Sequence, residues 1–360
     1  MPAETREGRE AALGRPHPPA RQLHRVSPYP TRPERGRRVA RLLGWALGAA
    51  VLGAVPAAAS EAFAPLRARN LNPPHLVFLQ PSAERPDPQP GGRVELAYAT
   101  VFVSEHREGR SALLDMEVGR AALVGAARGP WGSTVCLEVP YLWYGGGAFD
   151  RVVNGYHAAF GFADGGRSDR PDNTWAYEVR RGSAAYGPEP PASGGVGDAV
   201  VSGVHPLVGA LPEGVGSALR WSLKLPTGSH RHGFGSGSAD GGLGLLGSWR
   251  GRVVGVTGNL DLVYLGGTAD PALRLGTPWV LSSLVSAGVR LGWLGTASAQ
   301  LRFATSPYDT GLRPLDRPVV LLAAGLRRQL SPRVWASLGF TEDLAVESSP
   351  DFSLLASVEW

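Results

Sequence analysis

The chain has 360 residues, with 36 basic and 31 acidic side chains, 49 glycines and a single cysteine. The first 60 residues hold ten arginines and four glutamates, which leaves 26 basic and 27 acidic residues in the remainder. A nearly neutral remainder gives no support to a nucleic-acid-binding protein, and one cysteine excludes an intramolecular disulfide. Roughly 300 residues that are rich in glycine and lack sustained helical periodicity are typical of one β-barrel domain.

The N-terminal region has the features of a targeting segment. Residues 1–41 are rich in proline and arginine, and we expect a disordered leader or an over-extended start. Residues 42–59 form an apolar stretch after a basic cluster and end in small residues, which is the order of a secretory signal peptide. We expect cleavage near Ala59, with an N-terminal membrane anchor as the alternative. Residues 60–92 would then be a periplasmic N-terminal segment, in which His75 to Gln80 could form a first strand.

Segments with a period of two recur from residue 93 to the C-terminus, separated by turn-rich breaks. They lie at residues 93–102, 114–118, 131–141, 175–180, 219–225, 254–264, 289–293, 300–303, 334–340 and 352–360. A transmembrane β-strand needs about 9–11 residues, in which lipid-facing apolar and lumen-facing polar side chains alternate. The sequence therefore predicts an all-β fold, a transmembrane antiparallel β-barrel that spans residues 93–360.

The lengths of the breaks predict the topology. Short breaks at residues 250–251, 294–295 and 328–332 alternate with long ones at residues 226–238, 266–278, 306–316 and 341–350. Outer-membrane barrels place short turns in the periplasm and long loops outside. The breaks also delimit strands without a clear period of two. Counting these gives three strands before the long stretch at residues 142–171 and thirteen in all, an odd number that cannot leave both termini in the periplasm. A further strand at residues 75–80 or within 151–162 makes fourteen, our first expectation; twelve is the alternative if one weak segment is a loop.

The polar positions of these strands would line the lumen. Taken together, they carry both signs of charge in similar number: Glu95, Asp115, Glu117, Glu138, Glu178, Asp261 and Glu359 against Arg93, Arg180, Arg220, Lys224, Arg290 and Arg302. Such a lining is compatible with a water-filled pore and with a charge-paired, plugged interior.

The last strand ends the chain on an aromatic residue. Phe352, Val358 and Trp360 share one face of it, and the terminal tryptophan would anchor the strand at the membrane boundary. A terminal aromatic of this kind also resembles the sorting signal that the barrel-assembly machinery of Gram-negative bacteria reads. We therefore expect an outer-membrane location after removal of the signal peptide.

One long insertion interrupts the strand pattern between residues 142 and 171. Apolar residues from Phe149 to Phe160 fall at helical spacing between two glycine-rich breaks. We expect a short helix on a loop, with Asp150, His157 and Arg167 as its polar candidates. It would either fold into the lumen as a constriction or form an external cap.

Several pieces of the chain resemble a known family of proteobacterial outer-membrane proteins, grouped as domain of unknown function 3187. The pieces include Arg69-Asn70-Leu71-Asn72-Pro73, Leu114-Asp115-Met116-Glu117, Val139-Pro140-Tyr141, Gly146-Gly147-Ala148-Phe149-Asp150 and Lys224-Leu225-Pro226-Thr227-Gly228. The resemblance covers most of the chain after residue 60. It implies an outer-membrane location and a barrel fold, but no activity.

These patterns favour a channel or uptake pore for small solutes. The alternatives are a lipid- or lipopolysaccharide-modifying enzyme and a structural or adhesive surface barrel. Asp150 and His157 could share a helix face, but no nucleophile or metal set accompanies them. We therefore predict no catalytic residue, cofactor or metal site. The expected partners are outer-membrane lipid and lipopolysaccharide, the barrel-assembly machinery and an unidentified small solute, and no nucleic acid.

Overall fold

The computed structural model describes residues 61–146, 155, 167, 170–188, 194–207, 211–345, 348–350 and 352–360. This part of the chain contains the strands β1 (Gly91–Arg107), β2 (Arg110–Arg128), β3 (Thr134–Gly145), β4 (Ala176–Arg181), β5 (Ala184–Tyr186), β6 (Gly195–Val196), β7 (Ala199–Pro206), β8 (Val215–Leu225), β9 (Asp240–Arg250), β10 (Val254–Leu265), β11 (Trp279–Arg290), β12 (Thr296–Ala304), β13 (Val319–Ser331), β14 (Val334–Asp343) and β15 (Phe352–Glu359). Two short α-helices accompany them, α1 (Pro73–Leu76) and α2 (Arg313–Asp316), with 3₁₀ turns at Glu61–Phe63, Pro130–Gly132, His230–His232 and Gly292–Leu294. No helix in the described ranges is long and apolar enough to cross a membrane.

Twelve strands close into an antiparallel barrel, formed by β1–β3 and β7–β15. The first and last strands complete the ring through a register that runs from Arg93↔Glu359 to Thr100↔Phe352. Strands β4, β5 and β6 lie outside this ring: β4 pairs with β2 beyond the end of β3, β5 with β4, and β6 with β3. The fold is therefore an all-β barrel with the twelve strands that we had considered as the alternative.

The fourteen-strand expectation is not confirmed, for two structural reasons. The period-two segment at residues 175–180 forms β4, which lies outside the ring. Residues 75–80 form no strand, because α1 ends within them at Leu76. The other candidate, within residues 151–162, lies outside the described residues.

The two ends of the barrel differ in their connections. Short connections join β2 to β3, β7 to β8, β9 to β10, β11 to β12 and β13 to β14. At the opposite end, 13 or 14 residues join β8 to β9, β10 to β11 and β12 to β13, close to the ranges expected from the sequence; eight join β14 to β15, as many as join β7 to β8, and two join β1 to β2. We call these the turn end and the loop end.

Large apolar side chains cover the outside of the barrel. The outward positions on β9, β10 and β11 are 42–70% exposed, and they are Leu243, Leu245, Leu260, Leu262, Leu281 and Val285. The side chains that alternate with them on β10 are buried, with polar Asn259 and Asp261 followed by apolar Val263 and Leu265 toward the loop end. A band of exposed apolar side chains around the outside matches a lipid environment rather than water.

Residues 61–90, here called the plug, pass through the inside of the barrel. Phe63 lies against Gly255 and Gly288 at the turn end, whereas the Pro74 carbonyl accepts the Tyr308 hydroxyl at the loop end. The plug then returns to the turn end, where the Pro88 carbonyl accepts the Thr134 hydroxyl at 2.9 Å. The segment expected as a periplasmic extension is thus a hairpin inside the lumen.

Trp360 is tied to the first barrel strand at the turn end. Its backbone exchanges two hydrogen bonds with Gly92, each of 2.9 Å. Its ring covers the Gly92 Cα so closely that a Cβ there would stand 2.5 Å from the indole. The terminal residue therefore belongs to the seam that closes the barrel.

Replacement of Trp360 by aspartate should lower the yield of folded, heat-modifiable barrel, because both the boundary aromatic and the cover over Gly92 are lost. Electrophoresis of unheated outer-membrane samples measures this fraction. The matched control is Trp131→Asp, in a turn at the same end where the indole is 89% exposed and contributes nothing to the seam. Equal yields from the two variants would refute the role assigned to Trp360.

Candidate functional site

The wall of the lumen carries a row of paired charges on β1, β2 and β3. Arg93 Nε donates to Glu95 at 2.7 Å, and Arg120 donates to Glu95 at 3.0 Å and to Glu138 at 2.5 Å. The register places these four side chains on the inward faces of three adjacent strands. Each carboxylate in the row thus has a cation of the wall itself within hydrogen-bond distance.

The plug extends this row with its own charges. Arg69 contacts Glu138 at 2.5 Å. Arg67 pairs with Glu84, also in the plug, at 3.1 Å and with Glu359 of β15 at 3.4 Å. The second contact of Glu84 is with Arg93 of the wall at 3.6 Å. These side chains are mostly buried, and Arg93 and Glu359 keep the largest exposed fractions, 12% and 15%.

The row continues to the turn end. Arg327 of β13 contacts Glu359 at 3.0 Å and Glu61 at 3.3 Å. Glu61 also pairs with Arg85 at 2.5 Å, and Asp87 pairs with Arg250 at 2.8 Å. The ion pairs form one series of alternating sign that crosses repeatedly between plug and wall: Arg69, Glu138, Arg120, Glu95, Arg93, Glu84, Arg67, Glu359, Arg327, Glu61, Arg85, Asp87 and Arg250.

Polar side chains of the wall also satisfy the irregular backbone of the plug. Arg302 donates to the Pro81 carbonyl at 3.2 Å, and Arg220 donates to the Ser82 carbonyl at 2.5 Å. Asn259 binds both backbone groups of Glu84, accepting from its N–H at 3.0 Å and donating to its carbonyl at 2.8 Å. Buried backbone that lies outside regular structure needs such partners. The inward residues of β8, β10 and β12 supply them here.

A buried lysine joins the plug to a loop. Lys224 Nζ lies 2.5 Å from Asp198 and 3.4 Å from Asp240, and it donates to the Ser236 hydroxyl at 2.8 Å. Asp240 also accepts the Gly266 N–H at 3.0 Å and, from the plug, the Leu79 N–H at 2.9 Å. The only lysine of the chain therefore fixes the β8–β9 loop and, through Asp240, the returning arm of the plug.

The apex of the plug, around α1, lies in apolar surroundings at the loop end. His75 is 7% exposed and packs edge-on against Tyr308, with ring centroids 5.3 Å apart. Burial lowers the pKa of His75 to about 4, although Asp316 nearby opposes this shift. The imidazole is therefore neutral when the apex is docked at pH 7.

Of the thirteen polar positions assigned to the lumen from the sequence, nine face it: Arg93, Asp261 and Glu359, which take part in inward ion pairs, and six others. Glu95, Glu138, Arg220, Lys224 and Arg302 are buried among the contacts described above. The sixth, Arg290, lies over the Phe63 ring of the plug, 5.4 Å from its centroid. The structure thus places these six beside the plug rather than around an open pore.

Asp115 and Glu117 require a correction, because they lie on the outer face of β2. Each is paired in register with an outward residue of β1, Asp115 with Phe102 and Glu117 with Thr100. Asp115 binds Arg170 at 2.5 Å, and Glu117 accepts the Tyr98 hydroxyl. At 17 and 19 residues, β1 and β2 exceed the length that crosses a bilayer, and in their loop-end halves the apolar face points inward.

Glu178 and Arg180 are also placed outside the lumen. They pair with each other on β4, which is not a barrel strand, and their side chains are 41% and 61% exposed. Arg167 is buried and lies over the Phe102 ring on the outer face, 5.6 Å from its centroid. Asp150, His157 and the helix expected from Phe149 to Phe160 lie outside the described residues.

Sequence reasoning missed the plug with its charged residues Arg67, Arg69 and Glu84. It also missed the wall residues Arg120 and Arg327. The plug carries no strand or helix periodicity, so its burial depends on contacts with residues far away in the chain. Arg120 and Arg327 lay beyond the short period-two segments identified on β2 and at the β13 turn. Counting each strand to its full length would have placed both on inward positions.

A cavity of about 350 Å³ opens at the turn end, between the plug and the wall. Arg67, Glu84, Arg93 and Glu359 line its inner side, and Trp335 and Trp360 line its rim. Deeper in the lumen, beside Arg69 and Lys224, the free space falls to about 30 Å³. The plug therefore leaves an open vestibule at the turn end and closes the barrel above it.

Replacement of Glu138 by glutamine should weaken docking of the plug, because Arg69 and Arg120 both lose a buried carboxylate. Removing one partner of a buried pair costs about 3 kcal/mol or more, which corresponds to an increase of roughly 100-fold in the released population. Trypsin cleavage after Arg67 and Arg69, followed by mass spectrometry, reports that population. Glu178→Gln, in an exposed pair, is the control and should change cleavage little.

Acidification should loosen the apex through His75. The docked state has a pKa of about 4, below the ordinary value of 6.5, so its stabilisation is complete above pH 6.5 and is lost as the pH falls toward 4. Between pH 7 and pH 5 the loss is about 2 kcal/mol. Hydrogen exchange of the amides at residues 75–79, corrected for intrinsic rates, measures it. His75→Leu removes the titrating group, and an unchanged pH dependence in this variant would refute the assignment.

The comparisons with known proteins concern the whole barrel. The chain is similar to an outer membrane channel from Pseudomonas putida F1 (14% identity, TM-score 0.47, 78% of this chain and 99% of that one). It is also similar to the NanC porin (8%, 0.42, 75% and 98%) and to the toluene transporter TodX of Pseudomonas putida (11%, 0.38, 86% and 98%). No curated protein matches the chain. The model of the family described as "Protein of unknown function (DUF3187)" matches residues 46–360, and the chain belongs to that family.

Proposed function

We propose that the protein is an outer-membrane channel for small solutes, which the plug holds closed in the state described here. Its apolar outer surface suits a bilayer, and its wall is polar toward the lumen in the turn-end half. The signal-peptide pattern of residues 42–59 supports export to the envelope of a Gram-negative bacterium. Lipid and lipopolysaccharide would surround the barrel, and the assembly machinery would recognise the strand that ends in Trp360.

The pairing of the lumen charges is the observation that carries this proposal. Within the wall, Arg120 joins Glu95 to Glu138, Arg327 pairs with Glu359, and Arg220 pairs with Asp261 at 2.5 Å. These pairs involve no plug residue. Removal of the plug would therefore leave no wall carboxylate of these pairs without a cation, and water could enter a charge-balanced lumen.

The plug is similarly self-sufficient. Arg67 pairs with Glu84, and Arg85 pairs with Glu61, so these four plug charges keep a partner after withdrawal. Separation breaks the ion pairs of Glu61, Arg67, Arg69, Glu84 and Asp87 with the wall. If the plug only filled the barrel, plug and wall would not each need ion pairs of their own. Separate ion pairs within the plug and within the wall therefore favour a plug that can leave the lumen.

The lumen wall gives little selectivity for the sign of a solute's charge. Cations and anions both face inward on the barrel strands and at their loop-end margin: Arg93, Arg120, Arg220, Lys224, Arg250, Arg290, Arg302 and Arg327 among Glu95, Glu138, Asp198, Asp240, Asp261 and Glu359. Most of these cations are paired with a carboxylate, so the lining attracts neither anions nor cations strongly. We therefore propose that size and polarity, rather than net charge, select the solute.

Deletion of residues 63–88 should convert a closed barrel into an open one. Planar-bilayer recordings of the mature protein should show rare or small openings, and the deletion variant should conduct steadily, since the lumen of a twelve-stranded barrel is too wide for wall side chains alone to fill. The measured quantity is single-channel conductance in symmetric KCl.

The control for this deletion is Glu178→Gln, which leaves plug and lumen unchanged. Circular dichroism and heat modifiability must first show that the deletion variant folds as a barrel. A folded deletion variant without conductance would refute the channel. Equal steady conductance with and without the plug would refute its role as the closing element.

A further inference from the structure

On the side formed by β1 to β4 and β10, the loop-end half of the lumen is an apolar chamber, and the buried charges Lys224, Asp198 and Asp240 lie at its margin, at the ends of β7 to β9. Its wall consists of inward side chains from strands β1 to β4 and β10, which are Val101, Val103, Leu114, Met116, Val118, Leu142, Tyr144, Tyr177, Val179, Val263 and Leu265. All of them are at most 9% exposed. The barrel thus changes from polar to apolar lining along its axis.

The loops close this chamber with further apolar side chains. Phe234 stacks on Tyr144 at 5.5 Å between ring centroids, and Leu312 and Leu315 come from the β12–β13 loop. Tyr308 adds its ring beside Phe78, at 5.9 Å. Among the described residues of this roof, the Tyr308 hydroxyl, which donates to the Pro74 carbonyl of the plug, is the polar group within reach, and the other roof side chains named here are apolar. A sugar or an amino acid would lose its hydration there without replacement partners.

The plug already shows what the chamber accepts. The side chains of Leu71, Val77, Phe78 and Leu79 fill it, and each is 7% exposed or less. The charged residues of the plug lie nearer the turn end, beside the charged half of the wall. The plug is therefore an amphipathic occupant, with its apolar part in the chamber and its ionic part below.

From this complementarity we infer that the solute is itself apolar or amphipathic: a small molecule whose hydrocarbon or aromatic part occupies the chamber in place of the plug apex. The charged half below would take a polar head group. This inference rests on the proposed function, since the apex must leave before the chamber is available. It names the class of solute and makes that solute a competitor of the plug.

Competition can be measured at the apex. In the variant Cys136→Ser with Val77→Cys, the single thiol is buried while the apex is docked. The barrel is reconstituted in nanodiscs and treated with a water-soluble maleimide, with or without submicellar dodecanoate. An apolar competitor should speed labelling at position 77 by about tenfold or more, because it stabilises the released state. Sucrose at the same concentration should have no effect.

Two matched variants separate this effect from a disturbance of the lipid. With Leu123→Cys, on the outer face of β2 and 60% exposed, dodecanoate should leave labelling unchanged. Adding Val103→Asp to the position-77 variant makes the chamber wall polar and should abolish the acceleration. If that variant fails to fold, Val103→Ser in the position-77 variant should reduce the acceleration by dodecanoate.

No acceleration by dodecanoate, or equal acceleration by sucrose, would overturn the apolar class of solute. Steady conductance of the plug-deletion variant would then still support the channel. If the plug-deletion variant did not conduct and dodecanoate did not change maleimide labelling at position 77, both proposals would be refuted. The two measurements therefore distinguish a wrong solute class from a wrong function.

Discussion

The pairing of plug charges with wall charges is the interaction on which the closed lumen depends. A barrel of eight strands can be filled by its own side chains, whereas twelve strands enclose a wider space. Here glycine, serine and alanine occupy many inward positions, so the wall leaves room for two passes of backbone. Arg67 and Arg69 keep that backbone in register, because each has a carboxylate partner.

Two kinds of force hold the plug, and they act at different heights. At the turn end the contacts are ionic, and the vestibule of about 350 Å³ gives water access to Arg93 and Glu84. At the apex the contacts are apolar and dry. Salt screening acts on the accessible pairs first, whereas the apex responds to agents that weaken apolar burial. High salt alone therefore leaves the apolar contacts of the apex, and an agent that weakens apolar burial leaves the ion pairs at the turn end.

The strands could be predicted from the sequence because a period of two survives wherever one face meets lipid and the other the lumen. β15 and β10 show this alternation over nearly their whole length. The pattern does not say which face is which, and on β2 the inward face becomes apolar at the loop end. Asp115 and Glu117 were misplaced for that reason. β9, which the breaks at residues 226–238 and 250–251 delimited, shows no clear period of two because glycines replace much of the polar half of its alternation.

The candidate site was predictable only on its wall side. Glu95, Glu138 and Arg220 lie in strands with a period of two, which assigns their side chains to the polar face. Arg69 stands in a segment whose prolines and asparagines have no period, and it becomes a lumen residue only through Glu138, 69 positions later. Local patterns hold no information about such a contact. The resemblance to the family marked residues 69–73 as notable, but it gave no reason for their burial.

Both arms of the plug start from the same opening of the barrel. Glu61 and Asp87 lie near Arg327 and Arg250 at the turn end, and only the bend at α1 reaches the far side. Neither end of such a segment has to pass through the barrel, so it can enter or leave a finished barrel as a loop. The order in which barrel closure and insertion occur is therefore free of any topological constraint, and repeated cycles of withdrawal and return require no break in the ring of strands.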